Sequence, residues 1–117
     1  MISTDAAEIS PWVSKALGRP ADCGQFIAYV RPNREILSAA WFETLFGDTV
    51  VAHLATARGF LPREFLWYIF HYSFRELRAA QILAPVSREN HPAQRIVTHL
   101  GFTLEATLSP QESPVLY

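Results

Sequence analysis

The chain has 117 residues, half of them hydrophobic, enough for one domain with its own core and no need of disulfide staples. Ten basic residues against eleven acidic ones leave a net charge of -1, so no overall field favours nucleic acid or an anionic membrane. The single cysteine, Cys23, allows no internal disulfide and reads as a small buried hydrophobe, in keeping with a reducing compartment.

The N-terminal segment carries Asp5 and Glu8 instead of a basic run followed by an apolar one. The longest aromatic and aliphatic run, 65–70, is far too short to span a bilayer. These features predict a soluble cytoplasmic protein with no membrane partner. Ser10 followed by Pro11 predicts a helix start, a hydroxyl cap and then a preset φ, with Trp12, Val13, Ala16 and Leu17 on one face and Gly18 as the stop. Residues 25–30 and 36–42 are rich in β-formers, and "RPNRE" between them suits a turn, so they predict an antiparallel hairpin. Gly47 and Asp48 signal another turn, which places Glu43 at its approach and a third strand at 49–55.

Pro62 opens a long helical pattern in which Phe65, Leu66, Ile69, Phe70 and Leu77 recur at three- and four-residue spacing. Its aromatics cover more than one side. Most of them read as core, with Trp67 or Phe74 open to a contact with another chain. "QILAPVS" at 81–87 then alternates as a strand limited by Pro85. Strand, helix and strand make a crossover, so the two strands are expected to be parallel. Asn90 and Pro92 begin a further helix whose buried face would be Ala93, Ile96, Val97 and Leu100, with Gly101 as its stop and "FTLEATL" as a last strand. The expected whole is a single compact α/β (α+β) domain over 1–117: an antiparallel meander, a crossover, a short helix and a final strand.

The segment "NHPAQRIVTHLGFTLEA" resembles the late signature of the Gcn5-related N-acetyltransferase (GNAT) superfamily, with Asn90, Ala93, Ile96, Leu100, Gly101, Phe102 and Glu105 on its places. The element order over roughly 12–108 is similar too, and "FHYSFRELRAAQI" resembles divergent GNAT-like proteins of tailed phages. The resemblance implies a GNAT-like mixed sheet with splayed parallel strands, acetyl-CoA as co-substrate, transfer of its acetyl group to an amine, and no metal. It places a strand amide near Leu54 or Ala55 to help polarise the thioester oxygen, Asn90 toward the pantetheine arm and the pyrophosphate on the loop "TARGFLPRE", with Arg58, Gly59, Phe60 and Arg63 as further cofactor contacts.

The chain departs from that pattern in two places. The phosphate-loop glycines are replaced by Phe60 and Pro62, one bulky and the other without an amide. Val97 stands where many members have a tyrosine that protonates the leaving thiolate. His53 and Glu43 are the candidates for general base, although a lone strand histidine also serves as a structural residue, and Glu43 as a solvated charge. His71, His91 and His99 have neither the spacing nor the cysteines of a metal site. A homo-oligomer or assembly partner is compatible with the surplus aromatics. The rival expectation is a GNAT-fold component without chemistry, in a phage particle, located in the host cytoplasm or the virion.

Overall fold

The computed structural model describes residues 1–57, 59–86, 90–103, 106–107 and 115–116, with residues 45–46, 106–107 and 115–116 described by their backbone alone. The chain forms two compact units, Met1–Ile82 and Leu83–Tyr117.

The first unit is a sheet covered by helices. Strand β1 (Ile2–Ser3) precedes helix α1 (Ala6–Leu17), and β2 (Gln25–Val30), β3 (Ile36–Phe46) and β4 (Thr49–Thr56) form the expected meander. Helix α2 (Arg63–His71) then crosses to β5 (Gln81–Leu83), giving a mixed sheet of order β1-β2-β3-β4-β5, antiparallel and then parallel. β1 was not foreseen. It pairs antiparallel with β2, and the terminal ammonium donates to the Val30 carbonyl at 2.9 Å.

Helix α1 begins earlier than Ser10 and Pro11 suggest. The Asp5 carboxylate accepts from the Ala7 amide at 3.1 Å, and the Asp5 carbonyl receives the Glu8 and Ile9 amides. A carboxylate at the cap also favours the helix dipole, so Asp5 sets the start and Pro11 is carried inside. The Ser10 hydroxyl instead donates to the Ala21 carbonyl. Gly18 ends the helix in the left-handed region as expected. The buried face is Ile9 and Val13 with Trp12 and Leu17 beside them, whereas Ala16 is exposed.

Side chains alternate across β2, β3 and β4, so the sheet builds two cores. Phe26, Ala28, Val30, Ala39 and Trp41 meet α1, while Ile27, Ala40 and Phe42 meet Phe65 and Ile69 of α2. Helix α2 does not continue regularly to Leu77. At Tyr72–Glu76 it widens into a π-helical turn, in which Leu77 donates to the Tyr72 carbonyl at 2.9 Å and the buried Ser73 hydroxyl donates to Ile69 at 2.8 Å. A hydroxyl bonded back to the carbonyl four residues earlier loosens and bends a helix at that point. Trp67 is 58 % exposed and Phe74 45 %, so these two aromatics lie outside the core. Cys23 is exposed, not a buried hydrophobe, because it precedes β2 in the loop after α1.

The second unit is small. β6 (Pro85–Val86), β7 (Ala106–Thr107) and β8 (Val115–Leu116) form an antiparallel sheet of order β6-β8-β7. The single strand expected there is instead two short ones in different sheets, β5 ending at Leu83 and β6 beginning at Pro85. Helix α3 (His91–His99) starts on an Asn90 cap with Pro92 in its first turn. Its expected face is not buried: Ile96 is 43 % exposed, and Ala93, Val97 and Leu100 are only partly covered. Strands of two residues offer little surface on which a helix can bury a stripe. Asn90→Ala should cost about 1 kcal/mol of helix stability and lower helicity in circular dichroism, since the Asn90 side chain accepts the Ala93 amide at 3.2 Å. Unchanged helicity and melting would show that this cap contributes nothing.

Candidate active site

The meander register determines what His53 can touch. Trp41 lies directly opposite His53, and Glu43 opposite Val51, so Trp41, Glu43 and His53 share the sheet face that meets α1. β3 extends to Phe46, which puts Glu43 inside the strand and not at the approach to the turn. Glu43, of a type depleted in strands, disguises those last strand positions in the sequence.

The His53 ring stacks on Trp41, centroids 4.6 Å apart, and its Nε2 lies 3.4 Å from Glu43 Oε1. That distance gives attraction without hydrogen-bond alignment, and Nε2 is buried with no hydrogen-bond partner among the described residues. The same carboxylate oxygen accepts from Arg19 Nη2 at 3.2 Å, and the Arg19 guanidinium lies 5.1 Å from the Trp41 ring centre. Trp41 is fixed in turn by its indole N–H, which donates to the Cys23 carbonyl at 2.5 Å. Burial is the main reason the His53 pKa lies below its ordinary value; Glu43 pulls it up, and Arg19 pushes it down. A lowered pKa leaves the imidazole neutral and able to accept a proton at neutral pH.

The far end of β4 is organised differently. Ala57 donates to the Leu37 carbonyl at 2.8 Å in continuation of the β3–β4 register. Antiparallel pairs alternate, so Ala55 bonds towards β3 while the backbone groups of Leu54 and Thr56 turn to the other edge. β5 begins beside Asp48, whose carbonyl accepts from Ala80 at 2.8 Å, and three residues carry it along only the first part of β4. Of the two amides expected to polarise a thioester, Leu54 therefore has the outward direction, and Leu54 itself is 40 % exposed.

After β4 the chain makes a tight turn at Gly59, with φ at 72°, and the Phe60 amide donates back to the Ala57 carbonyl at 3.0 Å. The Ser38 hydroxyl, on β3, donates to the Phe60 carbonyl and ties the turn to the sheet. Pro62 caps α2 without any side-chain hydrogen bond. The Arg63 and Glu64 amides, in the first helical turn, have no partner within the helix. Between this loop and the β2–β3 turn lies a cavity of about 650 Å³, lined by Arg31, Glu35 and Leu37 on one side and by Ala57 and 59–62 on the other.

The spermidine/spermine N-acetyltransferase SpeG from Vibrio cholerae, in mutant form, superposes on the chain with a TM-score of 0.71 at 12 % identity, covering 99 % of this chain and 90 % of that one. The chain has the N-acetyltransferase fold. Campylobacter jejuni PseH, solved in complex with acetyl coenzyme A, matches at 0.65 and 15 % identity over 96 % of this chain and 77 % of that one. A GNAT-family acetyltransferase from Bacillus anthracis matches at 0.61 and 19 %, over 92 % and 68 %. No family model and no curated protein sequence matches the chain.

Within this N-acetyltransferase fold the structure joins His53 to Glu43, and joins Gly59 and Phe60 in one cavity wall. Arg63 is exposed at the first position of α2, and Asn90 is exposed in the second unit as the α3 cap. Arg58 and Glu105 lie outside the described residues. Among the described residues no group of three His, Cys, Asp or Glu side chains converges as a metal site would require, and no helix is long and apolar enough to cross a membrane. Sequence reasoning missed Arg19, Trp41, Arg31 and Glu35. Trp41 was accessible from period-two alternation with Glu43 once the strand is extended; Arg19 reaches Glu43 from 24 positions away and left no local signal.

Proposed function

We propose that the chain is a member of the GNAT superfamily and an N-acetyltransferase that uses acetyl-CoA to acetylate an amine. The observation that carries this reading is the likeness along nearly the whole chain to N-acetyltransferases, one of them solved with acetyl coenzyme A. The thioester lies on the outer edge of β4, where the Leu54 amide donates to the carbonyl oxygen as it gains charge. The amine nitrogen bonds to that carbon, the carbon–sulfur bond breaks, and CoA leaves as a thiolate. The proton lost by the amine passes to Glu43, the more exposed member of the pair, and the neutral His53 imidazole 3.4 Å behind it holds the proton. Val97 has no proton to give, so the thiolate is protonated by water.

Melting the protein with and without excess acetyl-CoA tests the reading, with free CoA and an unrelated nucleotide as controls. Ligand at about a hundred times its dissociation constant stabilises the native state by roughly 2.7 kcal/mol, a shift of several degrees for a domain of this size. Acetylation of a panel of amines should accompany the shift. A rival reading, the fold kept without its chemistry, draws support from Phe60, whose amide is already used, and Pro62, which has none. It predicts no shift at any ligand concentration.

A further inference from the structure

The Arg19 guanidinium is held by little. Its backbone is fixed, since the Arg19 amide donates to the Ser14 carbonyl at 3.2 Å just past Gly18. The side chain is 54 % exposed, and among the described residues its head has one hydrogen bond, to Glu43, and the 5.1 Å approach to the Trp41 ring. An exposed ion pair and an exposed cation–π contact are both weak, so the head can leave while the backbone stays in place. What it covers is Glu43 Oε1, which faces His53 Nε2 on its other side, and Trp41, only 3 % exposed with the arginine there. A carboxylate beside an aromatic ring recognises a cation on an alkyl stem, and Arg19 is such a cation supplied by the chain itself.

We propose that Arg19 is an internal stand-in for the acceptor: it occupies the place that an alkylammonium takes against Glu43 and Trp41, and so selects acceptors by their charge. The inference rests on the N-acetyltransferase reading above and adds the acceptor's class and the residue that selects it. A neutral or anionic acceptor gains nothing from Glu43 and leaves Arg19 where it is. An alkylammonium makes the same two contacts and displaces it. Acetylation then removes the charge. The bound ammonium loses one proton through Glu43 to water before it attacks, and the second passes to Glu43 and His53 as the amide forms, so the product is neutral. A neutral amide cannot hold the carboxylate against a cation, and Arg19 returns as the product leaves.

NMR titration of the full chain with n-butylammonium, and with N-butylacetamide as its uncharged product, tests this. In the parent, butylammonium should shift the Trp41 indole N–H and His53 ring signals and move the Arg19 Nε–H signal to that of a solvated arginine, whereas the amide should do neither. Arg19→Ala should bind butylammonium roughly three- to thirtyfold more tightly, because two weak contacts no longer compete, and should lower KM for the same amine. Arg19→Lys keeps a competing cation and should stay near the parent. The side chain is exposed, so both variants should melt close to the parent. If Arg19→Ala binds butylammonium no better than the parent, if the Arg19 signal stays in place, or if the amide binds equally well, the inference is overturned; acetyl transfer to amines by the same protein then leaves the N-acetyltransferase reading standing. Tighter ammonium binding in Arg19→Ala, with no acetyl transfer to any amine by the parent, supports the cation site and overturns that reading.

Discussion

Gly24→Ala is expected to lower the melting temperature by roughly 10 °C, the equivalent of about 2–4 kcal/mol. A Cβ at Gly24 would lie 2.3 Å from the Phe42 carbonyl oxygen and 3.0 Å from Trp41 Nε1, at a φ of +99° that side chains rarely adopt. Neither neighbour can retreat cheaply. Phe42 is 1 % exposed and paired with Gln25 in the ladder, and Trp41 is held by the Cys23 carbonyl and covered by Arg19. Gly18→Ala separates strain from contact, because Gly18 also has a positive φ but nothing within 4 Å of the added carbon. It should cost about 1 kcal/mol. Equal losses in thermal melts of the two variants would mean that backbone conformation alone explains Gly24 and that the close approach to β3 is unimportant.

This contact also shows where sequence reasoning reached its limit. Local signals located elements well: Gly18 stops α1, Gly47 and Asp48 turn β3 into β4, and Asn90 with Pro92 opens α3. Each is a short-range rule about φ, an amide or a cap, and such rules can be read from a few neighbouring residues. The errors came where two local signals competed or a distant partner decided. Ser10 and Pro11 resembled a stronger helix start than Asp5, yet Asp5 satisfies the free amides first. Glu43 resembled a turn residue because charged side chains are uncommon in strands, and only the carboxylate's place beside Arg19 and His53 explains it there. The candidate site was legible as a pair of names, His53 and Glu43, but their approach follows from register. A shift of one residue would have put them on opposite faces. The cavity at the head of α2 was half visible, since Gly59 and Phe60 were marked by the resemblance, whereas Arg31 and Glu35 lie across a hairpin turn.

Under the N-acetyltransferase reading, His53→Gln should reduce kcat roughly 10²- to 10⁴-fold, the range for loss of a positioned general base, while the thermal melt keeps its cooperative form. The activity should also disclose which charges tune His53. Its pKa is held below the ordinary value of about 6.5 chiefly by burial, with Arg19 adding to the depression and Glu43 opposing it. Activity should therefore fall on the acid side as His53 takes a proton, with a midpoint below that value. Arg19→Ala removes a repelling cation and frees Glu43 for the imidazole, so the acid limb and the His53 titration move up in pH; Glu43→Gln loses the first proton acceptor and with it most of the activity, and without the attracting anion its His53 titration moves down. Stability follows by linkage. The unfolded chain binds the proton more readily than the folded one, so folding free energy is fully retained above about 6.5 and declines as the pH falls from there to the folded His53 value. Arg19→Ala narrows that window from its acid end, and Glu43→Gln widens it. Histidine titration by NMR checks the assignment independently of turnover. Shifts of the same sign in both variants would remove Glu43 and Arg19 as opposing controls, and an undiminished kcat in His53→Gln would return His53 to a purely structural place beside Trp41.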